Sequence, residues 1–153
     1  GLRDVAVGKA RAPGTLAVYE RIARVEVQPA DAVARIGGPA DAQMEKVRVA
    51  YRAMAYAETP AGELALGEVP VTWSIAPADE TAEHEQDHVY AGTIDATGVF
   101  TPGDAGPNPA RIKSGSNVGR LQVVASARDG GTAVEGRGNL LVAPPDFVRR
   151  VLD

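Results

Sequence analysis

Apolar and polar residues alternate along much of this chain with the two-residue period of half-buried β-strands. The strongest case is Val71–Ile75, where Val71, Trp73 and Ile75 share one face and polar residues lie between them. Further short strands are predicted near residues 22–27, 33–36, 63–66, 93–95, 99–101, 121–127 and 133–142. Many short strands separated by Gly and Pro, with no long helix, predict an all-β chain folded as an immunoglobulin-like antiparallel β-sandwich.

The longest alternation runs from Lys46 to Tyr56 and predicts one strand. Ala, Met and Arg in this stretch are also good helix formers, so a helix is the competing interpretation. The β-branched residues and Tyr at period two favour the strand. The face predicted to be buried consists of Val47, Val49, Tyr51, Ala53 and Ala55.

Turn signals separate the predicted strands. Asp95–Thr101 predicts a tight hairpin in which Gly98 supplies a positive φ, and Asp129-Gly130-Gly131 predicts a second hairpin. Gly115–Gly119 lacks the Lys of a phosphate-binding loop and precedes a strand, so it is interpreted as a hairpin turn.

The pattern divides the chain into three parts. Residues 16–143 are predicted to form the sandwich, residues 1–15 to end a preceding β domain or to be a linker, and residues 144–153 to be a C-terminal tail. Because the chain begins at Gly1 without Met or a signal-peptide pattern, we expect it to be a processed or excised piece of a larger protein.

Composition narrows the function. Hydrophobic residues make up 44% of the chain and aromatic residues only 5%, so the core is expected to consist of aliphatic side chains. The formal charge of −4, without a Lys/Arg cluster, argues against nucleic-acid binding. The sequence contains no run of 18 apolar residues, so no membrane-spanning helix is predicted. The chain has no Cys, which excludes thiolate metal sites, a Cys nucleophile and covalent c-type haem within it.

One string resembles a zinc site. Residues 84–88 read His84-Glu85-Gln86-Asp87-His88, and on one helix both His would face the same side with Glu85 as general base. Acidic flanks and the lack of a third His favour a solvated acidic loop between strands, so no metal site is predicted. His84 and His88 remain the metal-ligand candidates, and a small zinc hydrolase is the alternative. The sequence predicts no catalytic or cofactor-binding residue.

Several short segments of the sequence also resemble those of known protein domains. The Trp strand followed by Asp95–Thr101 is similar to the "D-x-x-G-V-x-T" hairpin of bacterial immunoglobulin-like domains of the second group. A closer resemblance, over residues 16–143, is to the C-terminal immunoglobulin-like domain of the quinohemoprotein amine dehydrogenase α subunit. It rests on residues 18–22, 27–29, 33–38, 70–74, 92–102, 105–109 and 121–125, including the strings GTIDATGVFTP and AGPNP.

This resemblance implies a periplasmic heterotrimer that oxidatively deaminates primary amines. Such a complex carries cysteine tryptophylquinone in a small subunit and two c-type haems in the N-terminal domain of the α subunit. No catalytic or cofactor residue of that family can be placed on this chain. The expected role is therefore structural, with the other domains and subunits of the complex as partners. The alternative is a free-standing adhesion or carbohydrate-binding module, for which tandem copies of the hairpin pattern would be the sign.

Overall fold

The computed structural model describes residues 21–38 and 44–145. They form ten strands in chain order: β1 Arg24–Gln28, β2 Asp31–Arg35, β3 Val49–Ala50, β4 Arg52–Thr59, β5 Gly62–Glu68, β6 Thr72–Pro77, β7 Gly92–Ile94, β8 Val99–Pro102, β9 Gly119–Asp129 and β10 Thr132–Ala143. Two short helices, α1 Glu80–His84 and α2 Asp87–Tyr90, lie between β6 and β7, and a 3₁₀ turn spans Ile112–Ser114.

The strands make two facing layers. One layer is a four-stranded sheet in the order β2-β10-β9-β6. The other consists of two three-stranded sheets, β1-β4-β5 and β3-β8-β7. Strand β1 packs on β10 and β9, while β8 contacts β2 and β7 contacts β6. The described residues thus form the predicted immunoglobulin-like sandwich, and every strand pair is antiparallel except β2 with β10, which is parallel.

The core lies between the layers and is mainly aliphatic, as the composition indicates. Its largest fully buried side chains are Phe100, Ile36, Leu121, Val27, Val123, Val142 and Pro102. Trp73 is only partly buried, at the side of this core, where its ring lies 6.1 Å from that of Tyr51. Alternation along β9 and β10 directs the aliphatic side chains inward because successive residues of a strand face opposite sides.

The predicted strand from Lys46 to Tyr56 is two strands in different sheets. Val49–Ala50 pairs with β8, and Arg52–Thr59 pairs with β1 and β5. Tyr51 lies between them and its N–H donates to the Gly98 carbonyl at 2.9 Å. Tyr51, Ala53 and Ala55 are buried as predicted, but Val47 is 45% exposed because it pairs with Arg35 at the edge of the other layer.

The hairpin around Gly98 forms as predicted. Gly98 has a φ of 89°, and an added Cβ would lie 2.9 Å from the Trp73 ring. The Asp95 carboxylate accepts from the Thr97 hydroxyl, the Thr97 N–H and the Val99 N–H. The Thr97 hydroxyl bond, followed by the Val99 amide bond, lowers the pKa of Asp95.

Tyr51 provides a pH-dependent test of the core. Its hydroxyl is buried and no described residue hydrogen-bonds it. Burial raises the pKa of Tyr51 to about 12, whereas an unfolded Tyr titrates near pH ~10. The fold therefore favours the neutral phenol, so this contribution to stability is constant below pH ~10 and decreases as pH rises toward the folded value.

We expect Tyr51→Phe to remove this pH dependence while changing the free energy of unfolding by less than about 1 kcal/mol at pH 8, since no hydrogen bond is lost. Urea unfolding of both proteins at pH 8 and pH 11 measures the difference. Titration of tyrosine absorbance at 295 nm should lose its highest transition in the variant. If all four tyrosines of the parent chain titrated together near pH ~10, the burial argument would be wrong.

Candidate functional site

The two histidines lie on different helices. α1 ends at His84, Gln86 adopts a left-handed conformation with φ 60°, and α2 carries His88. The single-helix geometry that places both His of a zinc motif on one face does not form. Among residues 21–38 and 44–145, no group of three His, Asp or Glu side chains is placed to hold a metal ion. His88 Nδ1 is buried without a hydrogen-bond partner in the same part of the chain.

The predicted acidic loop is instead a folded helical segment. Asp79 begins α1, because its side chain accepts from the Ala82 N–H at 2.9 Å. This bond is the main cause that lowers the pKa of Asp79, and the Arg120 guanidinium, 2.7 Å away, adds to it. Residues 79–81 and 83–86 are exposed, as predicted, but the prediction of a loop was wrong because capping can start a helix too short to show a 3.6-residue period.

Asp87 is the buried centre of this segment. Only 3% of the residue is exposed, although its neighbours in sequence are polar. Its Oδ1 accepts from Arg111 Nη2 at 2.6 Å, and its Oδ2 accepts from the Arg120 N–H at 2.9 Å. Both carboxylate oxygens are therefore satisfied, as a buried charge requires.

Arg111 connects α2 to the long loop between β8 and β9. Besides Asp87, its guanidinium donates to the Ser116 and Val118 carbonyls at 2.8 and 2.7 Å and to the Glu85 carbonyl at 3.0 Å. The guanidinium also lies 5.6 Å from the centre of the Tyr90 ring. One buried guanidinium thus holds residues 85–87 and 116–118 together, using the planar fork of donors that Lys lacks.

Gly119 makes space for this ion pair. A Cβ at Gly119 would lie 2.7 Å from Asp87 Cγ and 2.9 Å from Asp87 Oδ2. The absence of a side chain at the first residue of β9 lets the carboxylate reach the Arg120 N–H. The sequence predicted a hairpin turn at Gly115–Gly119, and this prediction was wrong. The segment is the end of the loop that Arg111 holds.

The loop has a second set of contacts farther from α2. Asn108 Nδ2 donates to Asn117 Oδ1 at 2.9 Å, and Asn117 Nδ2 donates to the Asp104 carbonyl at 3.0 Å. Lys113 and Ser114 have positive φ values of 57° and 52°. Such conformations are strained in residues with a Cβ and persist where surrounding contacts hold them. The loop has a defined shape as a result.

We call the surface formed by α1, α2 and residues 103–118 the helical end of the sandwich. Val89 and Ile112 are its most exposed large apolar side chains, at 53% and 54%. Ile112 also lines a cavity of about 470 Å³ together with His84, Glu85, Arg111, Lys113 and Ser116. The helical end therefore presents two exposed apolar side chains, one of them beside a cavity, on a surface held by hydrogen bonds.

This chain cannot carry the redox groups that its resemblance implies for a parent complex. Covalent c-type haem and a cysteine-derived quinone both need Cys, and the sequence has none. Its single Trp, Trp73, packs its ring against the core and Tyr51. None of the helices in the described ranges is long and apolar enough to cross a membrane.

No sequence pattern predicts the Asp87–Arg111 pair. The two residues are 24 positions apart, and each stands in a polar segment that reads as exposed. The only sequence signal is that Arg111 lies in a loop rich in Gly, Pro and Asn, a composition that needs side-chain contacts to hold one shape.

Comparison with known proteins identifies the family. Curated proteins give no match. Among solved structures, mouse clustered PcdhgC3 EC1-3 is similar with a TM-score of 0.46 and 14% identity. That alignment covers 80% of this chain and 33% of the protocadherin chain. A family model described as quinohemoprotein amine dehydrogenase, alpha subunit domain IV, matches residues 25–152. Because the match spans most of its length, the chain belongs to the family of domain IV of the quinohemoprotein amine dehydrogenase α subunit.

Proposed function

We propose that this chain is a non-catalytic structural domain of a periplasmic quinohemoprotein amine dehydrogenase α subunit, whose complex oxidatively deaminates primary amines. Its role is to support the assembly of domains and subunits. The observation that carries the proposal is the family match over residues 25–152. The lack of Cys supports it, because the haem and quinone of the complex must then be held by other parts of it.

The helical end supports a role in assembly. Arg111 and Asp87 hold its backbone in one conformation, so little conformational entropy is lost when it contacts a partner. Val89 and Ile112 supply apolar area that water covers in the isolated domain. Contacts between domains of one chain bury about 600–1,500 Å² and are more polar than obligate interfaces. We propose that the neighbouring part of the α subunit or complex covers this end.

Two variants of the parent complex test the assembly role. Deleting the domain should lower the yield of assembled complex, measured by size-exclusion chromatography, while the haem spectrum of the remaining α subunit stays unchanged. Val89→Asp with Ile112→Asp should reduce the assembled fraction at least tenfold, since a charge in the core of an interface costs several kcal/mol and about 1.4 kcal/mol already corresponds to a factor of ten.

Ala133→Asp is the matched control for the surface variant. Ala133 is also exposed but lies at the β9–β10 hairpin, the opposite end of β9 from α2. It should leave assembly unchanged. A complex that assembles fully and turns over normally without the domain would rule out the structural role. If the deletion impaired assembly but the Val89→Asp, Ile112→Asp variant assembled normally, the helical end would not be the interface, and another surface of the domain would be. Fractionation of the parent protein tests the periplasmic location.

A further inference from the structure

A cavity of about 460 Å³ opens beside Trp73, where the chain crosses from one layer to the other between β5 and β6. Its apolar wall consists of Ala53, Val69, Pro70, Val71 and Trp73. Sites for small molecules are usually concave and mostly apolar, with volumes of about 300–1,000 Å³. The cavity is therefore large enough for a small organic ligand.

Small residues leave this space open. β6 is an edge strand, so Trp73 has a strand partner, Ala125, on one side only. Beside the cavity, Ala53 and Ala96 have single methyl groups, and Gly98 has no side chain. A Cβ at Gly98 would lie 2.9 Å from Trp73 Nε1. The indole ring is only partly buried as a result, although it packs against the core.

Two aromatic side chains that line the cavity carry polar groups without a partner. The Tyr51 hydroxyl is buried, and no described residue hydrogen-bonds it. Trp73 Nε1 donates to no residue of the described ranges either, and it is not among the fully enclosed polar atoms there. The polar group of a buried Tyr or Trp usually finds a hydrogen-bond partner. The pair thus supplies hydrogen-bonding capacity that the described residues leave unused.

The rim of the cavity adds charged and polar groups. Arg52 and Glu68 are exposed there, and neither forms an ion pair with a described residue. The side chain of Arg52 makes one long contact, of 3.4 Å, with Gln28 Oε1. Thr97 Oγ1 donates to Asp95 at 2.6 Å, which leaves its lone pairs available as acceptors. The rim therefore offers both donors and acceptors, and its two charges sum to zero.

We propose that this cavity binds one ring of a neutral saccharide. A pyranose ring has an apolar face of C–H groups and an edge of hydroxyls that both donate and accept. The apolar face packs against Trp73 and Pro70, while the hydroxyls accept from Arg52 and donate to Glu68. A charged ligand would leave one of the two rim charges opposite a like charge, which disfavours it. The site is independent of the assembly role, because none of its lining residues belongs to the helical end.

Fluorescence of the full chain tests the proposal, because Trp73 is its only Trp. The probes are the methyl glycosides of glucose, galactose, mannose and N-acetylglucosamine. We expect at least one of them to change the emission of Trp73 saturably, with a Kd in the millimolar range that is usual for ligands of about a dozen non-hydrogen atoms. The same titration of N-acetyltryptophanamide corrects for effects of the sugar on the solvent.

Variants of the rim locate the binding. Arg52→Ala and Glu68→Ala should each raise the Kd about tenfold, since each removes a charged hydrogen-bond partner of the sugar. Arg48→Ala and Glu58→Ala are the matched controls. Both of these residues are also exposed, but neither lines the cavity, so the Kd should stay unchanged.

Two results would overturn the saccharide site. One is the lack of a saturable response to all four glycosides. The other is a response that Arg52→Ala and Glu68→Ala leave unchanged, because the sugar would then bind elsewhere. Neither result bears on the assembly role, which is measured on the parent complex.

Discussion

Replacing Asp87 with Ala is expected to lower the free energy of unfolding by about 3–5 kcal/mol, the usual cost of removing one partner from a buried ion pair. The Arg111 guanidinium would remain buried, with 7% of its side chain exposed, and would have lost its counter-charge. The Arg120 N–H would lose its acceptor as well. Since small domains have stabilities of about 5–15 kcal/mol, this loss would remove a large part of the free energy of unfolding.

Urea unfolding followed by the fluorescence of Trp73 measures this loss. Arg120→Ala is the matched control, because Arg120 forms a 2.7 Å pair with Asp79 at the same end of the sandwich, but 54% and 42% of the two side chains are exposed. An exposed pair contributes about 0–1 kcal/mol, so this variant should stay near the parent. Its backbone N–H still binds Asp87.

A double variant separates charge burial from packing. Asp87→Ala with Arg111→Met removes both charges, and we expect it to be more stable than Asp87→Ala alone, because no uncompensated ion remains. If Asp87→Ala cost no more than Arg120→Ala, the pair would not determine the stability of the helical end. The Asp87→Ala variant should also weaken assembly of the parent complex if that end forms the interface.

Gly136→Ala is expected to destabilise the sandwich by about 3 kcal/mol or more, at the upper end for adding volume to a packed interior. Gly136 lies in β10 and faces β1, where an added Cβ would overlap the Val25 carbonyl oxygen. That atom belongs to the backbone of a paired strand and cannot rotate away. Relief requires the two layers to separate locally, which loosens core contacts along β1.

Gly115→Ala is the control for the glycine variant. Its added Cβ would approach no atom closer than 3.5 Å, an ordinary van der Waals contact, and its φ is −65°. We expect a change of less than about 0.5 kcal/mol, the range typical of surface substitutions. Thermal unfolding by circular dichroism compares both variants with the parent. A Gly136→Ala protein as stable as Gly115→Ala would show that the layers can move apart at little cost.

Local patterns were sufficient for the strands and the tight hairpins. Alternation located β6, β9 and β10 to within a few residues, because a strand between core and solvent must alternate. The turn at Asp95–Gly98 could be predicted because the contacts that form it are local. The Asp95 carboxylate accepts from the backbone N–H groups two and four residues ahead. The metal-ligand interpretation of His84 and His88 rested on an assumed single helix, which the left-handed Gln86 interrupts.

The sequence by itself determined the fold class, the mainly aliphatic core and the absence of thiol chemistry, since each follows from residue type or short-range period. The tertiary structure alone decided that Asp87 is buried, that Val47 is exposed and that β2 runs parallel to β10. These outcomes depend on contacts between residues 12, 24 or more than 100 positions apart. Whether a residue is buried depends on which other residues pack against it. The alternation of apolar and polar residues is a local pattern, so it carries no information about partners so distant in sequence.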